Sequence, residues 1–414
     1  VAHKSVVSWI LYDLANTIFS LNIISLYFSL WVVNDQGGRD GDYLLANSFS
    51  MGLMFVAAPF LGAYSDQRPR RMPLLIASTV ICCLFTLFLG TWGLAVSLAF
   101  FIVANFAYQA GLIFYDALLP AVSTEENRGR IGGLGVGIGY LGALLGLGIG
   151  AATLNVFDGT KPAVFRLTAI AFFLLALPCF LFVQEPRKQV ERVSTRSAFR
   201  SAVRELRQTT RRLGQYKGLG RFLVGRIFYA DAANTMIATM GIYATKEIGF
   251  TDSEVQGVLL AGILGAIPGG ILWGRLVDRI APKRTLMLVL ALWVVVMAAT
   301  AAIAYFDLAQ GFFWAVAPVA GLALGGTWAA DRPLMLRLSP PRYLGQFYGI
   351  YAMVGRFAAI LGPLLWTLIV DGFGWGRPAA VLSLLVMIVI SGLILAPVND
   401  APRSWDAGDQ IASA

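Results

Sequence analysis

Charged side chains are scarce in this chain. Asp, Glu, Lys and Arg make up 13% of its 414 residues, where a water-soluble domain carries about 25%. Apolar residues fill 57%, more than one soluble core of this length could bury. Histidine occurs once, as His3, which leaves no His-Glu-x-x-His motif, and no Gly-x-Ser-x-Gly elbow is present either. The few cysteines, Cys82, Cys83 and Cys179, each sit in an apolar run, so buried free thiols are expected and no disulfide framework or metal cluster. No glycine-rich loop ends in Gly-Lys-Ser/Thr, which argues against an ATP-driven pump within the chain. A membrane-embedded enzyme gains little support, and neither a cofactor nor a metal is expected.

What is abundant is long apolar sequence. Runs at 72–92, 163–183 and 285–305 are each long enough to cross a bilayer, which takes about 20 residues. In lipid every backbone polar group must be satisfied within its own segment, so these runs are expected to be helices. Apolar runs and their breakers predict twelve spans, near 5–33, 43–64, 73–93, 95–120, 131–157, 162–184, 219–247, 251–276, 283–304, 310–338, 342–371 and 376–398. The first run is too long, and too polar on one face, for a cleavable signal peptide.

The net charge of +9 is not spread evenly. Between Glu185 and Arg221 lie eleven Lys/Arg against three acids, so the rest is nearly neutral and no nucleic-acid partner is expected. Alternate loops differ in charge. One set carries Arg68, Arg70 and Arg71, then Arg128 and Arg130, this basic segment, Arg279, Lys283 and Arg284, and Arg342; the other has mainly Arg39, Lys161, Lys246 and Arg377. The positive-inside rule puts the first set and both termini in the cytoplasm, and the expected membrane is the inner (plasma) membrane of a prokaryote. Arg192, Arg196, Arg200, Arg204, Arg207 and Arg211 recur at helical spacing beside Phe199, Val203, Leu206 and Leu213. That predicts a basic amphipathic helix, lying either on the inner membrane face or in solvent as a linker.

The sequence also repeats itself. Asp13-Leu-Ala-Asn-Thr17 returns 218 residues later as Asp231-Ala-Ala-Asn-Thr235. Gly62 and Asp66 return as Gly274 and Asp278, and Asp116 returns as Asp331. Such offsets imply parallel repeats with a central site between them. The expected class is therefore an all-α membrane protein of twelve transmembrane helices in two pseudo-twofold-related six-helix bundles. These would span 1–184 and 219–400, with a linker at 185–218 and a tail at 401–414.

Carboxylates within spans each need a reason, because burying one unpaired costs several kcal/mol (about 2.5–3.5 on insertion scales). Asp13, Asn16, Thr17 and Ser20 share one helical face, and Asp231, Asn234 and Thr235 share another. They either bind substrate and exchange protons or hold a broken helix by capping. Asn105 and Gln109, one turn apart, either line the cavity or join helices. Tyr12, Tyr140 and Trp328 are candidate aromatic walls, and Tyr108 and Tyr229 could join them. Arg356, mid-span, needs an anion: Asp331, Asp13, Asp231 or one on the substrate. Arg226, nearer its span's cytoplasmic end, is expected to snorkel. Asp66, Arg70 and Asp116, with Asp278, Arg284 and Asp331 in the second half, form either a cytoplasmic gate or anchors at the headgroups. Gly135 and Gly139, then Gly142, Gly146 and Gly150, predict close helix approach.

The loop after the second span resembles the major facilitator signature G-x-L-a-D-r-x-G-r-K/R. Gly62, Asp66, Arg70 and Arg71 match it, and Gln67 and Pro69 depart. A copy one residue longer runs from Gly274 through Leu276, Asp278 and Arg279 to Arg284. By that resemblance Asp66, Arg70 and Asp116 would form an inward-side gate in the major facilitator fold. The stretches 9–19, 115–142, 222–243 and 321–362 further resemble the vacuole-effluxer-like group of that superfamily, although Asp331 and Pro333 replace its serine-arginine-serine run. The resemblance implies alternating-access transport, with eukaryotic members implicated in moving amino acids out of vacuoles. The expected partners are a small polar or zwitterionic solute such as an amino acid, the lipid bilayer and protons, with the chain acting as a monomer. Export of amphipathic drugs or lipids, and sensing without transport, are the competing expectations.

Overall fold

The computed structural model describes residues 3–38, 40–186, 216, 218–357 and 361–403. The basic amphipathic helix expected near 192–213 lies outside them, as does most of the tail. The helices are α1 His3–Asp35, α2 Asp42–Asp66, α3 Met72–Leu87, α4 Gly93–Asp116, α5 Arg128–Leu154, α6 Lys161–Phe182, α7 Leu219–Lys246, α8 Asp252–Ile280, α9 Pro282–Tyr305, α10 Gly311–Leu338, α11 Pro341–Gly372 and α12 Arg377–Leu395. Ten are long and apolar enough to cross a membrane. The other two are α3, which is short, and α7, which carries Arg221, Arg226 and Asp231. Every predicted span has its helix, but α3 stops six residues early. Gly90 and Gly93, at φ +79° and +80°, form the turn there, a conformation that costs glycine little.

Local signals explain the boundaries. Proline opens α3, α6, α9 and α12, where its missing N–H is an orphan anyway. These are the third and sixth helices of each half. Thr251 and Glu254 close a capping box at the start of α8, which satisfies two otherwise unpaired amides.

The chain forms two compact units, and their borders do not follow the sequence halves. One takes the chain to Glu125, the stretch from Ile138 to the end of α6, and Tyr343–Ala352. The other takes Glu126–Gly137, α7 through Arg342, and the chain from Met353. In the first unit Trp9 stacks on Tyr115 with centroids 4.6 Å apart, and Tyr115 stacks on Tyr12 at 4.9 Å. Each such pair adds about 0.5–1.5 kcal/mol beyond simple burial. In the second, the Trp293 indole N–H donates to Thr327 Oγ1 at 2.9 Å, so its polar end is satisfied inside an apolar core. Leu45, Val56, Leu181, Leu272 and Leu393 are exposed, as expected of side chains that meet acyl chains rather than water.

Candidate functional site

The densest polar arrangement sits where the basic loops meet the helix ends. Asp66, the last residue of α2, accepts from two consecutive amides at the start of α11: Gly345 N–H to Oδ1 at 3.0 Å and Gln346 N–H to Oδ2 at 2.8 Å. In the second unit Asp278, near the end of α8, accepts from Gly129 N–H at 2.7 Å and Arg130 N–H at 2.8 Å, at the start of α5. The first amides of a helix lack intrahelical partners and lie at its positive end, so a carboxylate suits both needs. Glycine seams bring the helices this close. A Cβ on Gly62 would overlap the Gly345 carbonyl oxygen, and one on Gly133 would overlap that of Gly270. One on Gly274 would lie 2.6 Å from the Gly129 oxygen. Of the glycines expected to allow close approach in α5, Gly142 meets Leu14 and Thr17 of α1, and Gly146 meets Asn22.

Arg71 organises the first of these joints. Its Nη2 lies 2.5 Å from Asp66 Oδ1, its Nη1 is 3.7 Å from Glu185 Oε1, and Nη1 donates to the Ala117 carbonyl at 3.5 Å. Glu185 Oε2 also accepts from the Arg71 and Met72 amides, capping α3. Arg70, expected in this role, is exposed: the turn after Pro69 brings the next arginine inward. Asp116 is buried at the end of α4, one residue before Ala117. In the second unit Asp400 accepts from the Lys283 amide at 2.8 Å, capping α9, with Arg337 Nη1 at 3.9 Å. Arg284 is exposed, and Lys283 instead donates through Nζ to the Ala396 carbonyl. Glu185 and Asp400 were not among the expected residues. Their 215-residue spacing, the same as that of Asp116 and Asp331, was the available signal.

Asp331 is fully buried in the second unit, where Arg226 Nε lies at 3.1 Å and the Tyr229 hydroxyl donates at 2.5 Å. Arg226 therefore does not snorkel; it is 5% exposed and rests against Gly355 of α11. A guanidinium and a carboxylate that deep each compensate the other's buried charge. Arg356, next to Gly355, is half-buried.

The remaining candidates differ in burial and in the bonds they make. Tyr12 is core: it is 1% exposed, and its hydroxyl lies 2.6 Å from Thr79 Oγ1. Asn105 joins α4 to α2, and Gln109 bonds to it from one turn further along α4. Gln109 Nε2 donates to Asn105 Oδ1 at 3.4 Å, and Asn105 Nδ2 donates to Asn47 Oδ1 of α2 at 3.0 Å. Asp13 and Asn16 are buried on α1, with Asp13 Cγ 3.6 Å from where a Cβ of Gly139 would stand. Tyr140, Asn234 and Trp328 are half-buried. Asp231 is fully buried on α7 and accepts from Gly362 N–H of α11 at 2.6 Å. Neither Asp13 nor Asp231 faces the acyl chains.

Twelve helices, duplicated carboxylate-to-amide joints and the signature loop all point to one superfamily, and residues 42–406 match the family model described as vacuole effluxer Atg22 like. The chain belongs to that family. It is a family of transporters of the major facilitator type, not of enzymes. Among its relatives is an uncharacterized MFS-type transporter, YxiO of Bacillus subtilis, 27% identical over 97% of this chain and 96% of that one. Autophagy-related protein 22-1 of Neosartorya fischeri is 24% identical over 66% of this chain, which spans about half of that longer protein (49%). Two solved structures share the fold: the human organic anion transporter MFSD10 (TM-score 0.71, 16% identity, covering 95% of this chain and 98% of that one) and the proton:xylose symporter XylE (TM-score 0.71, 13% identity, 95% and 94%). This family member is thus an integral, multi-pass membrane transporter whose partners are a small-molecule substrate and the bilayer.

Proposed function

We propose that the protein moves a small polar or zwitterionic solute, an amino acid being the leading candidate, by alternating access coupled to protons. The duplicated joints at Asp66 and Asp278 carry the reading. Each ties a first-half helix to a second-half helix through two hydrogen bonds and no covalent link. Bonds of this kind can be made in one state and broken in the other, as a gate requires. By the positive-inside rule that gate is cytoplasmic. The polar face of Asp13 and Asn16 supports a polar cargo, and the family resemblance supports an amino acid.

The test uses proteoliposomes loaded with a pH-reporting dye. An equimolar mixture of the twenty standard amino acids is added outside, with and without an imposed pH gradient. Internal acidification that requires both protein and amino acids is expected. Amino-acid counterflow with no proton movement would remove the coupling. No flux of any amino acid, alongside transport of a lipophilic cation, would replace this cargo with an amphipathic one.

A further inference from the structure

The joints at Asp66 and Asp278 share a backbone pattern but not the side chain that goes with it. The second amide of each pair belongs to Gln346 in one and to Arg130 in the other, 216 residues apart. Arg130 is exposed. Gln346 is fully buried, and neither Oε1 nor Nε2 of its carboxamide has a hydrogen-bond partner. Among the described residues no other buried carboxamide is orphaned at both ends; Asn16 has one such atom, Nδ2, and Asn22 has one, Oδ1. The backbone on either side of Gln346 is packed hard against α2. A Cβ on Gly345 would lie 2.6 Å from the Gly62 oxygen, and one on Gly349 would overlap that of Ala58. The start of α11 is thus seated by its backbone, and the Gln346 side chain must take the surroundings that this seat gives it.

We propose that Gln346 is a positioning residue that weakens the Asp66 joint so that it can open. Its carboxamide is unpaired while α11 is seated on α2, and it regains partners when the start of α11 leaves Asp66 for water. A carboxamide taken out of water without new bonds costs free energy, and that cost falls on the seated state alone. An apolar side chain of the same volume would hold the joint more tightly. The opposing hold is strong, because Asp66 takes two buried amides and lies against the Arg71 guanidinium. A joint held in that way needs an opposing element if its two states are to stay close in free energy. The Asp278 joint, whose second amide is exposed, has less to offset. The role in transport rests on the reading of the joint as a gate; the effect on the joint itself does not.

The experiment reads hydrogen exchange at the Gly345 amide of the full chain in lipid nanodiscs, for wild type, Gln346→Met and Gln346→Leu. That amide exchanges when Asp66 lets it go. Both replacements are apolar and close to glutamine in volume but differ in shape, so a packing fault peculiar to one would not recur in the other. They are expected to slow exchange about tenfold, the effect of removing one buried unsatisfied group. They are also expected to slow counterflow of a radiolabelled amino-acid mixture in proteoliposomes, since a tighter joint opens less often. Asp66→Asn is expected to do the opposite to exchange and speed it. Slower exchange in either apolar variant supports the proposal. Exchange as fast as wild type or faster in both would overturn it, because the carboxamide would then have a partner in the seated state. Slower exchange with wild-type counterflow would overturn the role in transport, and with it the gate at Asp66. If the wild type moves no amino acid, the cargo reading falls, and exchange at Gly345 alone still decides whether Gln346 weakens the joint.

Discussion

Asp66 Oδ2 accepts from the amide of Gln346 at 2.8 Å, across 280 residues of intervening chain. The same carboxylate takes Gly345 N–H and the Arg71 guanidinium on its other oxygen. Asparagine cannot replace it, because its amide nitrogen would face another donor. Asp66→Asn is expected to lower transport about tenfold, the cost of one unsatisfied buried donor, and Asp278→Asn, whose amide donors are part-buried and exposed, is expected to lower it less. Initial rates in proteoliposomes test this. Wild-type rates in both variants would show that the joints do not gate transport.

The glycine seams should be less tolerant than the charges. A methyl at Gly62 meets the Gly345 backbone and one at Gly133 meets that of Gly270, whereas Gly52 and Gly148 have open space around the same position. Backbone cannot move aside as a flexible side chain can. Overpacking of this kind typically costs about 1–3 kcal/mol. Gly62→Ala and Gly133→Ala are expected to transport poorly, and Gly52→Ala and Gly148→Ala are expected to match wild type. Thermal melting of the four purified variants separates the seam from a general intolerance of added bulk.

The spans were legible in the sequence because each is an apolar run, and lipid rewards nothing else. Asp66 and Asp278 were legible because they repeat at the same place in each half. The choice of Arg71 over Arg70 was not, since both follow Pro69 and only the turn decides which one folds inward. Glu185 and Asp400 are isolated acids shortly past the last helix of each half; their role depends on where α3 and α9 begin in space. Thr17 and Thr235 show the opposite limit: at one position of a repeated motif the first donates to the backbone carbonyl of Asp13 and the second to the carboxylate of Asp231, a difference periodicity cannot separate.

Arg226 and Asp331 form a pair that is expensive to break and cheap to remove. Asp331 is fully buried and Arg226 nearly so. Taking away one partner strands the other charge, at a cost of about 3–5 kcal/mol. Replacing both with apolar residues of similar volume is often neutral. Arg226→Met and Asp331→Leu are each expected to express poorly or melt far below wild type, and the double variant is expected to recover most of the loss. A double variant as unstable as the worse single one would mean that Tyr229 and the surrounding chain require the charges themselves.

A last pair of contacts bears on how far the duplication extends. Lys161, at the start of α6, sits 2.5 Å from Asp35 at the end of α1; Arg377, at the start of α12, sits 2.8 Å from Glu247 just past α7. Both join the first helix of a half to its sixth, on the side away from the basic loops. Both are partly exposed, so each should contribute little, about 0–1 kcal/mol, and less in high salt. Alanine at Lys161 or Arg377 is therefore expected to leave melting and transport nearly unchanged. Charge reversal is the sharper probe, because Lys161→Glu places two carboxylates where an ion pair stood. It is expected to slow transport at low salt, to recover partly as salt is raised, and to be rescued by adding Asp35→Lys. Arg377→Glu and Glu247→Lys should behave in the same way if the two clasps are equivalent. Rescue in one half but not the other would mean that the halves use this contact differently, and that the geometric repeat is not a functional one.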